Sequence, residues 1–394
     1  MSALRIPAVY MRGGAGKGVF FEGKDLPRAH AERDALLLRV MGSPDPGGLH
    51  ADGMGGGASG ASKVAVVSPS RRDDCDVDCL LGAVAFDRPA IDWSGHCSDL
   101  SAAAGPFAIA QGLVAAVDGI TRVRIWQQGT GQRIDAFVPV RHGEVLEEGA
   151  FVEDGVPFPG AEIRLELLSG DAMPALLPTG SPQDLLRVAG LGEIRATLID
   201  AGDPTVFVRA DALGLTGREL PAELQGKRKL LGMLEAIRAE GAIRLGLADT
   251  AAEATRLRPD SPKVAWVARP AAYRSIAGAE IAAERIDVLA RILSQGKPHA
   301  GLGDGGSIAL AAAAALPGSV VGEVARTLPG VPTRIGHPSG TLSVGAELSQ
   351  AGGRWRFDKA VLSRSARRLM SGWVHLPSRP PALADRATRD LFRP

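Results

Sequence analysis

Ser62-Lys-Val-Ala-Val-Val67 returns two hundred residues later as Pro262-Lys-Val-Ala-Trp-Val267. Two further echoes flank it in the same order. Arg12-Gly-Gly-Ala-Gly-Lys-Gly-Val-Phe-Phe21 is matched by Asp200-Ala-Gly-Asp-Pro-Thr-Val-Phe-Val208, each a polar Gly-bearing turn running into β-branched and aromatic residues. Ser98-Asp-Leu-Ser-Ala-Ala-Ala104 opens an apolar segment much as Ser307-Ile-Ala-Leu-Ala-Ala-Ala313 does. A single match between short Val or Ala strings is what chance supplies. Three in one order indicate an internal duplication, which constrains architecture more firmly than local propensity. The join is expected in the loop from Leu176 to Gly192, where Pro178, Gly180, Pro182, Gly190 and Gly192 interrupt the periodic pattern. That gives halves of 1–185 and 186–394, with the C-terminal segment free to return to the first.

Most other apolar runs are short and bounded by Gly, Pro or Asp. Val64 to Val67, Val123 to Trp126, Ile163 to Leu168 and Ala196 to Ile199 are expected as strands. Helical spacing is carried by fewer segments: Ala29 to Met41, Lys229 to Glu240, Ile281 to Leu293 and Ser307 to Leu316. Strands surrounding one apolar helix per half are the simplest arrangement of these pieces. The fold class is α+β, in two pseudo-symmetric domains, and not a regular βαβ alternation.

At 394 residues the chain exceeds what one hydrophobic core usually organises, in keeping with two halves. Its 45 Lys and Arg stand against 44 Asp and Glu. There is no global field to gather nucleic acid and no acidic tail for a basic partner. The first residues lack the basic-then-apolar build of a signal peptide, and nowhere do 18 apolar residues run uninterrupted. A soluble cytoplasmic protein without a membrane partner is expected. Three cysteines make no disulfide framework and fit a reducing compartment.

The Gly-rich loop Met11-Arg-Gly-Gly-Ala-Gly-Lys-Gly18 fails the phosphate-loop pattern at both ends, with Met11 for the first Gly and Gly18 for the hydroxyl. It could still hold a carboxylate through backbone N–H groups and Arg12, or be a tight turn with two solvated cations. Gly55 to Gly60 and Gly301 to Gly306 match G-x-G-x-x-G. The first leads into a strand where a dinucleotide site needs a helix, and the second follows the helix-like Ile281 to Leu293 and not a strand. Cys75, Cys79, His96 and Cys97 lack the paired ligand spacing of a structural zinc site, so Cys75 and Cys79 read as small buried residues. No metal is expected. Cys97 differs, because its polar turn runs directly into an apolar helical stretch. A thiol at a helix N-terminus has a stabilised thiolate and can exchange protons, although an ordinary buried Cys fits the same residues.

With that turn in view a specific resemblance emerges. Tyr10-Met-Arg-Gly-Gly14, Gly42-Ser-Pro-Asp-Pro46, Asp52-Gly-Met-Gly-Gly56, Ser62-Lys-Val64, Trp93-Ser-Gly95, Gly105-Pro-Phe-Ala-Ile109, Gly336-His-Pro-Ser-Gly340 and Ser363-Arg-Ser-Ala-Arg-Arg-Leu-Met370 resemble, in order, the 2-methylaconitate cis-trans isomerase (PrpF) family. The resemblance implies a diaminopimelate epimerase-like fold, each domain a mostly antiparallel, barrel-like sheet around a central helix. It also implies a cofactor-independent isomerase that shifts a proton on a small unsaturated polycarboxylate, with Lys63 and Cys97 flanking the substrate. A small carboxylate substrate and a homodimer are the partners to expect. A catalytically retired anion binder and a nucleotide-dependent oxidoreductase are the alternatives.

A carbanion conjugated to a carboxylate needs a base on one face and N–H donors at the developing enolate oxygens. The base must shed its own proton, which nearby cations such as Arg12 and Lys17 would favour. The substrate-binding set expected on this reading is Arg12, Gly13, Gly14, Lys17, Ser62, Ser98, Asp99 and Leu100 from the first half, with Asp304, Gly305, Gly306 and Ser307 from the second. The helix starts at Ser98 to Leu100 and Gly305 to Ser307 would supply the donors. Lys263 is expected to be structural.

The loops depart from the family's usual pattern: Gly14-Ala-Gly-Lys17, Ala58-Ser-Gly-Ala-Ser-Lys63, His96-Cys-Ser-Asp99 and Gly303-Asp-Gly-Gly-Ser307 lose hydroxyls and gain two carboxylates. Two anions about 4 Å apart repel by roughly 4 kcal/mol at an effective dielectric of 20. Asp99 and Asp304 therefore point to a substrate with fewer carboxylates than 2-methylaconitate.

Overall fold

The computed structural model describes residues 4–45, 47, 49–56, 62–94, 98–170, 173–294, 296–328 and 330–377. By contacts the chain falls into two compact units, one of Met1–Gly131, Phe137–Gly149 and Ser365–Pro394, the other of Gln132–Ala136 and Ala150–Arg364. The chain thus leaves the first unit well before residue 185. The reason is a ladder: strand Ile163–Leu168 pairs antiparallel with strand Arg354–Arg364, which keeps residues 150–185 with the second half. At the far end, strand Ala366–Leu376 lies antiparallel along Leu4–Gly13, from Leu4 opposite Leu376 to Gly13 opposite Ala366.

In the first unit, Leu4–Gly13 turns back into Gly16–Glu22, and the opposed pair Gly13 and Gly16 leaves only Gly14 and Ala15 as the turn. Gly16–Glu22 runs parallel to Lys63–Pro69 with Val19 opposite Val64. Lys63–Pro69 is antiparallel to Val77–Val84, which is parallel to Gly119–Gln127. Between these last two strands the chain forms the helix Ser98–Ala110. Strand alternation divides the side chains between two helices. Ile6, Ala8, Val19, Phe21 and Val64 pack with Leu37, Val40 and Met41 of the helix His30–Met41. Phe20, on the opposite face, stacks 5.5 Å from Phe107 of Ser98–Ala110. Burying each such ring contributes roughly 1.5–3 kcal/mol, enough to carry the helix through Pro106, which removes one helical N–H.

The second unit repeats this order of pairings. Gly192–Ile199 is antiparallel to Thr205–Arg209, which is parallel to Lys263–Ala268 with Thr205 opposite Lys263 and Val206 opposite Val264. Lys263–Ala268 is antiparallel to Val288–Ser294, which is parallel to Thr333–His337, and the helix Gly303–Ala315 again lies between the last two. The duplication is therefore present in the ladders, and their register refines the echoes. Val19 corresponds to Val206, and counting back from there Gly16 corresponds to Asp203. The second central helix begins at Gly303, four residues before Ser307, so its first-turn Asp304 corresponds to Asp99.

The helix expected from Ile281 to Leu293 does not form. Residues Val288–Ser294 are a strand with six successive buried positions, preceded by the short strand Glu280–Ile281 and one 3-10 turn at Ala283–Arg285. A strand buried on both faces reads as a continuous apolar run and loses the alternation that would identify it. In consequence Gly301 to Gly306, which opens a helix as expected, does follow a strand, contrary to expectation. Among the described residues no helix is long and apolar enough to cross a membrane.

Candidate active site

Lys63 heads its strand on the face that meets the central helix Ser98–Ala110, alternating with Val64 on the opposite face. Its half-buried side chain carries the ammonium to the point where a Cβ on Gly16 would stand, 3.5 Å from it. The same point lies 3.3 Å from the Cβ and 3.6 Å from Oδ2 of Asp99, in the first turn of the helix. Three glycines make this convergence possible. A Cβ on Gly13 would come within 2.3 Å of the Asp99 carbonyl oxygen, and one on Gly18 within 2.8 Å of Leu100 Cδ1 and 3.0 Å of the Lys63 carbonyl oxygen. The strands thus close onto the helix start, where the N–H groups of Ser98, Asp99 and Leu100 have no acceptor inside the helix. Cys97, together with Gly95 and His96, lies outside the described residues.

Arg12 and Lys17 sit on the other face. They oppose each other across the hairpin, one step out of phase with Gly13 and Gly16. Arg12 Nη1 donates to the carbonyls of Gly14 and Ser365 and to Ser365 Oγ, at 2.9, 3.2 and 3.0 Å. Gly14, at φ 51°, donates its own N–H to the Ser365 carbonyl at 2.8 Å. The exposed Lys17 ammonium lies 5.9 Å from the centre of the Tyr10 ring. The loop is a closed hairpin turn tied to the returning C-terminal strand, and its two cations do not flank Lys63 as expected. Ser62 is buried, with Oγ donating to the Gly56 carbonyl at 3.1 Å and accepting from Gly56 N–H at 3.2 Å, so its hydroxyl tethers a loop.

The second half places its corresponding residues differently. Lys263 Nζ is 2.7 Å from Asp203 Oδ2. A Cβ on Gly305 would fall 2.4 Å from that same Asp203 oxygen, so the glycine is required by the carboxylate beside it. Gly306 is closed by Ile292, 2.9 Å from where its Cβ would be. Ser307 is fully buried and donates to the Asp304 carbonyl at 2.9 Å, inside its own helix. Asp304 Oδ1 accepts from Arg364 Nη2 at 2.6 Å, and Glu153 lies 3.6 Å from Arg364 Nε. This arginine offsets the Asp304 charge and with it the repulsion expected there. A pyrophosphate at this helix start would meet Asp203 and Asp304 in place of the open N–H groups a dinucleotide needs.

Three groups were not singled out from sequence. Arg364 stands inside the quoted Ser363-Arg-Ser-Ala segment, and Asp203 inside the first echo. His337 belongs to Gly336-His-Pro-Ser-Gly340. Burial pushes its imidazole down to about 4, with Asp154 acting in the opposite sense and Arg291 in the same one. Its Nδ1 accepts from Ser339 N–H at 3.3 Å, and Ser339 Oγ donates to the Ala300 carbonyl at 2.7 Å, just before the second central helix. Arg291 is buried beside the Tyr273 ring, 5.1 Å away, and burial lowers it to about 10.

Comparison with known proteins completes the description. The profile of the family described as PrpF protein matches residues 3–377. A protein of Cupriavidus necator named 2-methyl-aconitate isomerase is 46% identical over 387 residues, covering 95% of this chain and 98% of its own length. A 3-methylitaconate isomerase of Eubacterium barkeri is 35% identical, covering 95% and 97%. A crystal structure of methylitaconate-delta-isomerase superposes with a TM-score of 0.87 at 34% identity, covering 95% of this chain and 96% of that one.

Proposed function

The chain belongs to the PrpF protein family, and from that premise we propose that it is a cofactor-independent isomerase that moves a proton on a small unsaturated polycarboxylate, with 2-methylaconitate the first candidate. The observation that carries this reading is the convergence of the Lys63 ammonium and the first turn of the central helix beside Gly16. Lys63 is the base that removes an allylic proton beside a carboxylate. The N–H groups of the first helical turn, Ser98 to Leu100, which have no acceptor inside the helix, receive the charge that develops on the enolate oxygens. Cys97, immediately before this helix, is the partner acid that returns the proton after bond rotation or at the far end of the allyl system. Asp99 lies beside the same point, while Asp304 is balanced by Arg364. The ion pair at Asp304 removes one of the two repulsions behind the expected preference for fewer carboxylates, and so keeps the tricarboxylate 2-methylaconitate as a candidate.

The test is solvent deuterium uptake into 2-methylaconitate, 3-methylitaconate and related di- and tricarboxylates, followed by proton NMR with purified protein. Exchange at the allylic position of at least one of them is expected. Absence of exchange across the whole panel would reject the reading in favour of an anion-binding protein without catalysis.

A further inference from the structure

The two Lys-headed strands occupy equivalent places, yet one ammonium is captured in an ion pair and, among the described residues, the other is not. Lys263 is held by Asp203 at 2.7 Å. Among the described residues no ion pair holds Lys63. The position that corresponds to Asp203 is Gly16, since Val19 and Val206 stand opposite Val64 and Val264 in matching parallel ladders. The exchange of side chains is reciprocal. In the first half the space between strand start and helix start is filled from the helix, by Asp99 and Leu100 against Gly16 and Gly18. In the second it is filled from the strand, by Asp203 against Gly305. We infer that Gly16 is the position that keeps the first-half lysine available as a base, and that a carboxylate there would capture it in an ion pair as Asp203 captures Lys263. This rests on the assignment of Lys63 under the proposed function.

A carboxylate at ion-pair distance holds an amine protonated, so the fraction able to accept a proton falls about tenfold or more. Gly16 does not have a left-handed φ, so a side chain there imposes no backbone penalty of that kind. Gly16→Asp and Gly16→Asn have nearly the same volume and differ in charge. Gly16→Asp is expected to lower allylic deuterium exchange at least about tenfold below Gly16→Asn. It is also expected to slow acylation of Lys63 by an amine reagent, read by peptide mass spectrometry, by a similar factor. Equal losses in both variants, in exchange and labelling alike, would reduce the effect to bulk and overturn the inference. The labelling arm separates the two readings. If Lys63→Ala still exchanges, the base assignment fails, while slower labelling of Lys63 in Gly16→Asp alone still demonstrates capture. Should Gly16→Asp not fold, Asp203→Gly provides the reverse test. Labelling of Lys263 should rise several-fold when its carboxylate is removed, and unchanged labelling would overturn the capture argument.

Discussion

The first and second halves share a sequence of ladders and a central apolar helix of 13 residues, and they differ in where charge is compensated. In the second half each charged group near the helix start has a partner: Lys263 with Asp203, and Asp304 with Arg364. In the first half the corresponding strand residue is a glycine, and the lysine ammonium lies beside it. Scaffold and chemistry are therefore separable in this fold. Duplication preserves what packs, and the second copy adds paired charges; on the proposed function, the absence of a side chain at Gly16 is what leaves the first copy its base.

The comparison is broken most directly at the two lysines. Lys63→Ala should reduce allylic exchange by about 10³-fold, within the range of a lost general base, with little change in melting temperature because no ion pair holds the ammonium among the described residues. Lys263→Met should keep exchange within a few-fold of wild type. It should instead lower the melting temperature, since Asp203 is then left part-buried beside Gly305 without its counter-charge. Comparable loss of exchange in both variants would show that the halves share the chemistry.

The Asp304–Arg364 pair sharpens the comparison at the helix starts. With side chains only 17% and 6% exposed, it is shielded enough that removing one partner leaves a costly charge. Arg364→Met should destabilise the fold by roughly 3 kcal/mol in denaturant unfolding, and Asp304→Asn by less, because Glu153 still faces the arginine. Asp99→Asn, at the corresponding place in the first helix, should act on substrate, lowering KM for polycarboxylates.

The sequence carries the duplication because packing repeats leave Val, Ala and Phe at fixed places, and Lys63 and Lys263 mark the same strand twice. It carries the first-turn positions of Asp99 and Asp304 as well. The pairing of Lys263 with Asp203 is out of its reach, since it depends on the register of two parallel strands that are far apart in the chain. The face to which Arg12 points depends on how the hairpin closes, which is settled at Gly14 and by the returning Ser365. The stretch from Ile281 to Leu293 reads as helical in sequence because burial of Val288–Ser294 on both faces erases alternation.

The smallest expected effect belongs to the second half alone and concerns acid. His337 is buried, and its Nδ1 accepts a hydrogen bond, so it is folded in its neutral form and resists protonation down to about 4. In the unfolded chain an imidazole protonates near 6.5. Between these values the unfolded state binds a proton that the folded state does not, so stability rises with pH across this window and is lost as pH falls through it. The loss is at most about 3 kcal/mol, complete near pH 4 and absent above about pH 7. Urea unfolding at intervals from pH 7 to pH 4 should show a shallower decline in His337→Gln than in wild type. Amide hydrogen exchange should place the difference in residues 333–351 and not in residues 4–22. A decline of identical slope in both proteins would mean that His337 is solvated or already charged in the folded chain, and that the acid limb comes from the carboxylates.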